Sequence, residues 1–289
     1  MQVFEMAASL NGDYFLTAEF KNKIQLWNAS SNTKLVELST HFEAGGKRMA
    51  VSNNGSVLAA AAYARFGITL YDTNNAKEIW TNKQIKKIQK VAFSEDDSTL
   101  YVINNDNILY ALAVSDGSII FSERNVKNIV VSNFGTIEET TDKKIIYDKR
   151  LLTNMPYINI ILGMIGFPQG FCFSNMGGGL FCYTSKGRLI WKANNKKAEH
   201  YTKLTYFEKY NYLLALAYKY DNPRTQPYYF VDVYDVLSGN LKYSLKLEDD
   251  ATEYIFIKDS EKIISNRGSI YCFGEHEGVL CEEKVDFTT

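Results

Sequence analysis

Proline is scarce in this chain of 289 residues: there are 4, beside 3 histidines and 4 cysteines. So few histidines leave little for metal ligation, or for a base beside a nucleophile. The cysteines are Cys172, Cys182, Cys272 and Cys281. None shows Cys-x-x-Cys spacing, so a zinc site is not expected. An excess of one charge is lacking too, since 32 basic and 33 acidic residues leave a net charge of −1. A phosphate-backbone binder draws its affinity from a positive excess that displaces counterions, so nucleic acid is not expected as the main partner. A long unbroken apolar run is missing as well. The longest apolar stretch, "YINIILGMIGFPQGFCF" at 157–173, is broken by Gly163, Gly166, Pro168 and Gly170. It reads as a buried strand and a turn, not a membrane span. The opening "MQVFEMAASLNGDYF" shows neither the basic nor the apolar region of a secretory signal. The expectation is therefore a cytoplasmic protein with no membrane partner. There, free buried thiols are expected. Each cysteine pair nevertheless straddles a turn, "CFSNMGGGLFC" and "CFGEHEGVLC", and would face across adjacent strands of a hairpin.

What is present is aromatic and repetitive. Aromatics make up 14% of the chain, with Tyr 20 and Phe 17, and flat rings pack well on pleated surfaces. The length suits two ordinary domains or one large all-β domain. A repeat decides between them. A bulky residue ends an apolar run just before a polar turn in "IQLWNASSN", "ITLYDTNNA", "LYALAVSDG", "KIIYDKR", "LFCYTSKG", "VDVYDVLSG" and "IYCFGEHEG". The anchors are Trp27, Tyr71, Leu112, Tyr147, Tyr183, Tyr234 and Phe273. They recur about every 40 residues, the period of a four-stranded propeller blade. Upstream of each lies a hairpin such as "VAFSEDDSTLYVI", and downstream a short outer strand such as "SIIFS". No helical periodicity interrupts them. A lone four-stranded blade leaves both faces wet, and radial stacking buries them. The fold class expected is all-β: a single-domain β-propeller over 1–289, with about seven four-stranded antiparallel blades. Their approximate bounds are 3–38, 47–82, 88–123, 128–154, 160–193, 202–247 and 253–287. No spare N-terminal strand remains for the last blade, so closure is expected to rest on packing of the first blade against the last.

"VAFSEDDSTLYV" and "LVELSTHFEAGGKRMAVSNNGSVLA" resemble WD-repeat and YVTN-type propeller repeats. "NILYALAVSDGSIIFS" and "GRLIWKAN" are similar to the repeats of PQQ-like propellers. The resemblance covers nearly all of the chain through degenerate motifs, and such folds host unrelated activities. It implies that His41 stands where a WD repeat places its structural histidine, although the usual Asp partner is absent from "YARFG". It also raises quinone chemistry. Enzymes of that type carry a pair of adjacent cysteines beside the cofactor, and this chain has none, so no cofactor is expected.

Catalysis has few candidates. His41 and His200 fall in blade-to-blade connections and His276 in an outer turn; no Gly-x-Ser-x-Gly elbow appears. "NMGGGLF" at 175–181 sits in a hairpin turn, away from any helix that would make a phosphate loop. The chain is therefore read as a non-enzymatic module that presents one propeller face to a protein partner, and as a monomer. A sharper version is an immunity-type protein that occludes the active site of a toxin. The rival is an enzyme or small-molecule binder that uses the central channel. Two charged connections, basic "NKQIKKIQK" (82–90) with Lys86 and Lys87 and acidic "KLEDDATE" (246–253), are expected on one rim face. The longest insertion, "YKYDNPRTQPYY" (218–229), brings Tyr218, Lys219, Tyr220, Arg224 and Tyr228. Tyrosine and arginine are enriched at binding hot spots, and long loops tend to be functional. His200, Tyr201 and Phe66 complete the expected contact set.

Overall fold

A computed structural model describes residues 3–19, 23–40, 48–62, 67–152, 160–194, 200–219, 227–247, 251–258 and 261–287. Strands are the only regular secondary structure among them. They form seven four-stranded antiparallel sheets, each built from consecutive strands in chain order. This is a β-propeller. Its blades span Val3–Ser39, Met49–Asn82, Ile88–Arg124, Val126–Leu152, Ile161–Asn194, His200–Leu247 and Tyr254–Lys284. The seven anchors read from the repeat all lie in or at the end of third strands, as in Lys23–Asn28 for Trp27 and Tyr228–Asp235 for Tyr234. Two compact units divide the chain. One holds Met1–Val131, Ala251–Ile270 and Glu282–Thr289; the other holds Ser132–Asp250 and Tyr271–Cys281.

In the first unit, the repeated Ser-x-Asn/Asp turns explain why the chain reverses where it does. Ser9, Ser52 and Ser94 accept through Oγ the backbone N–H of Tyr14 (3.1 Å), Val57 (3.1 Å) and Thr99 (2.9 Å). Short hydroxyl and amide side chains satisfy turn backbone that water would otherwise have to solvate. The turns also bond to one another. The Asn11 N–H donates to Asn53 Oδ1 at 3.0 Å, and the Asn53 N–H to Asp97 Oδ1 at 2.9 Å. Beneath them Leu16, Leu26, Val51 and Leu58 share a core between blades 1 and 2. Ala59, Leu70, Val91 and Leu100 share the next.

Tryptophan hooks join successive blades. Trp80, in the outer strand of blade 2, donates Nε1–H to Val114 O of blade 3 at 2.8 Å. Trp191 of blade 5 donates to Val236 O of blade 6 at 2.7 Å. Each indole lies on a turn glycine. A Cβ on Gly117 would sit 2.7 Å from the Trp80 ring, and one on Gly239 2.6 Å from the Trp191 ring. Both glycines hold φ near +72°, a region where a side chain is strained.

Blade 7 takes its four strands from residues 254–284 and none from the N-terminal segment. Its junction with blade 1 is made by packing. Asn266 Nδ2 donates to Val3 O at 2.8 Å. Phe287 meets the Trp27 ring edge-on, with centroids 5.4 Å apart.

The expectation of free thiols is corrected. Cys172 is bonded to Cys182, and Cys272 to Cys281. The reason is register: Cys172 and Cys182 are direct partners across the second and third strands of blade 5, with Cα atoms 4.1 Å apart. Both are fully buried, whereas Cys272 and Cys281 are half-buried.

Candidate partner-binding surface

Blade 6 has the longest strands. Its first three, His200–Phe207, Tyr212–Lys219 and Tyr228–Asp235, have 8 residues each, and Leu241–Leu247 follows. Their middles are largely buried, and their shared end is half-buried and rich in rings. Register aligns His200 with Tyr218, Tyr218 with Tyr229, and Tyr229 with Leu247, so these four line one face. The His200 ring stands edge-on to Tyr218 at 5.7 Å, and Tyr218 lies 6.3 Å from Tyr229. The opposite face carries Lys219 beside its partner Tyr228. There Lys246 Nζ lies 4.9 Å from the centre of the Tyr228 ring, and Phe230 packs behind at 6.2 Å. A cation over a ring face is held by the ring quadrupole. Within the described residues, His200 Nδ1 is buried without a hydrogen-bond partner.

A buried polar network supports this end. Asp232 is fully buried in the third strand. Its Oδ2 accepts the Tyr201 hydroxyl at 2.6 Å, and its Oδ1 accepts the Ser244 hydroxyl. The Tyr201 and Tyr234 hydroxyls lie 2.8 Å apart. Burial pushes the Tyr201 hydroxyl far above the usual tyrosine range, and the nearby Asp232 and Tyr234 push it further. Trp191 stacks on Tyr234 at 5.9 Å and anchors the blade to its neighbour.

The structure thus gathers His200, Tyr218, Lys219 and Tyr228 at one end of one sheet. It corrects Tyr201, whose side chain is buried and whose hydroxyl is committed to Asp232, so it has no surface to offer a partner. His200 opens a strand instead of lying in a connection. The stretch 246–253 was expected to be an acidic connection, yet Lys246 belongs to the outer strand and faces Tyr228. Lys86 and Lys87 are exposed in the connection of blades 2 and 3, within the other unit. Lys87 Nζ lies 3.8 Å from Asp106 Oδ1, a solvated pair of little energetic weight. Tyr220, Arg224, Phe66 and His41 lie outside the described residues. Sequence reasoning missed Tyr229 and Lys246. The alternation of "LKYSLKL", with lysines two and six places along, was the available signal for the latter. Among the described residues, no group of three or more His, Cys, Asp or Glu side chains is placed to hold a metal ion.

The comparisons agree with this architecture. The PQQ_2 family model, described as outer membrane protein assembly factor BamB, matches residues 8–123, which reach from the first strand of blade 1 into the outer strand of blade 3. No curated protein matches the chain. Among solved structures it is similar to a chain in the crystal structure of a mitotic checkpoint complex. The TM-score is 0.65 at 12% identity, over 84% of this chain and 78% of that one. At that identity the likeness shows the fold alone. Residues 8–123 therefore carry PQQ-like repeats and the whole is a propeller, as the resemblance implied. Such a fold suits an interaction module.

Proposed function

We propose that this propeller is a non-enzymatic interaction module and that the ring-rich end of blade 6 contacts its protein partner. The observation that carries the reading is the convergence of His200, Tyr218, Tyr229, Lys219, Tyr228 and Lys246 at the end of one stiff sheet. Half-buried tyrosines offer large contact area at small entropic cost. Lysines Lys219 and Lys246 add positive charge, which favours a partner with acidic groups at the matching positions. Occlusion of a toxin's active site is a special case, and it predicts a partner whose activity falls on binding.

The test is affinity capture of the tagged chain from its native extract, read by mass spectrometry, beside the variants Tyr228→Ala and Lys219→Glu/Lys246→Glu. A stoichiometric partner that both variants lose, with the unfolding midpoint lowered by no more than about 4 °C, supports the reading. A partner retained by both would move the contact elsewhere. No partner with any form would count against an interaction module.

A further inference from the structure

Two Asn-Gly steps occur in the sequence, Asn11-Gly12 and Asn54-Gly55. They hold one place in the fold, the turn between the first and second strands of blades 1 and 2, and Asp96-Asp97 holds it in blade 3. Glycine has no side chain to shield its backbone nitrogen, so that nitrogen can reach the side-chain carbonyl carbon of the asparagine before it. The three turns share one set of bonds. In each, Oδ1 accepts the hydroxyl of the serine two places back: Ser9 on Asn11 at 2.7 Å, Ser52 on Asn54 at 2.8 Å and Ser94 on Asp96 at 2.6 Å. It also accepts the backbone N–H two places on, at 3.2 Å from Asp13, 2.9 Å from Ser56 and 3.2 Å from Ser98.

The amide nitrogens separate the two asparagines. Asn11 is half-buried, and its Nδ2 donates to Asp13 Oδ2 at 2.7 Å and to Asn53 O at 3.0 Å. Asn54 is exposed, and its Nδ2 donates to none of the described residues. Its Oδ1 instead takes a third donor, the Ser56 hydroxyl at 2.6 Å. Donors aimed at a carbonyl oxygen hold the negative charge that forms there when its carbon is attacked. Expulsion of ammonia from Asn11 would break two bonds and leave a carboxylate against that of Asp13. At Asn54 it breaks no such bond, and Asp96 shows that this turn accepts an aspartate.

We infer that Asn54 is a site of spontaneous deamidation, and that the fold protects Asn11 in the same Asn-Gly context. The Gly55 nitrogen loses its proton to solvent and bonds to Asn54 Cγ. The Cγ–Nδ2 bond breaks, and the nitrogen takes up a proton and leaves as ammonia. Water then opens the cyclic imide at Cγ, which gives aspartate, or at the backbone carbonyl, which gives isoaspartate. Water is the only co-reactant. Either product brings a negative charge to the contact between blades 2 and 3, where Asp97 accepts the N–H of Asn53 at 2.9 Å and of Asn54 at 3.3 Å. Like charge weakens that contact.

Incubation of the folded full chain at mildly alkaline pH tests it, beside the same chain in denaturant. Peptide mass spectrometry reads the fraction of Asn11 and of Asn54 converted. In the folded chain Asn54 should convert about tenfold faster than Asn11, the worth of the two bonds on the Asn11 amide. In denaturant the two rates should meet. Asp13→Ser gives the first turn the residue that Ser56 supplies in the second, and should raise the Asn11 rate about threefold or more. Ser56→Asp should slow Asn54, because it removes the third donor and offers the amide an acceptor. Each new side chain already stands in a matching turn, so both variants should fold. An Asn11 that keeps pace with Asn54 in the folded chain overturns the proposal. So does a gap that persists in denaturant, an Asn54 that stays unconverted in the folded chain, or rates that neither exchange moves.

Discussion

Blades 4 and 6 show what a blade needs and what it can add. The third and fourth strands of blade 4, Ile145–Tyr147 and Arg150–Leu152, have 3 residues each. The matching strands of blade 6 have 8 and 7. Blade 4 still meets its neighbour: Tyr147 stacks on Phe171 of blade 5 at 5.6 Å, while its hydroxyl donates to Phe134 O within blade 4. A short apolar layer thus suffices for packing. The extra length of blade 6 lies beyond that layer, and there the rings and lysines gather. Long strands here mark a place where the fold has spare sheet to present.

The comparison breaks most directly at Asp232. Asp232→Ala should cost about 3 kcal/mol or more, because it removes the acceptor of the buried Tyr201 and Tyr234 hydroxyls. Denaturant unfolding measures it, and a loss below about 1 kcal/mol would deny that the long blade depends on its polar core. The next effect is alkaline. The Tyr201 hydroxyl is raised in the folded state, so the unfolded chain loses that proton first. The stabilisation is whole below about pH 10 and falls as pH rises further. Tyr201→Phe should flatten that fall by about 1.4 kcal/mol per pH unit. In blade 4, Tyr147→Phe removes one hydrogen bond and should cost about 1 kcal/mol. Tyr228→Ala should cost least, about 0.5–1 kcal/mol, because its ring is half-buried at the strand end. If Tyr228→Ala proved as costly as Asp232→Ala, the end of blade 6 would be core and not a contact surface.

The propeller was legible because its signals are local. An anchor such as Tyr234, a Ser-x-Asn turn and an alanine run like Ala59–Ala62 each report on residues a few places away. The site was legible in part. Tyr218, Lys219 and Tyr228 flank a long insertion, a feature of spacing alone. Tyr201 could not be placed, since its burial depends on Asp232, 31 positions on. The cysteines were ambiguous for the same reason. Their turn spacing suggested facing strands, but only register distinguishes a pair in contact from a pair offset by one residue.

The tryptophan hooks turn two of the junctions into joints, with a plug on one repeat and a socket in the third turn of the next. Trp80 and Trp191 are plugs; the turns around Gly117 and Gly239 are sockets. The two halves of every such joint come from different repeats. A copy of blade 2 or blade 5 therefore carries a plug, and a copy of blade 3 or blade 6 carries a socket. A cut between Trp80 and Gly117, or between Trp191 and Gly239, separates the two. Lengthening or shuffling this ring is a matter of interchangeable fittings, and it constrains where the breakpoints can fall.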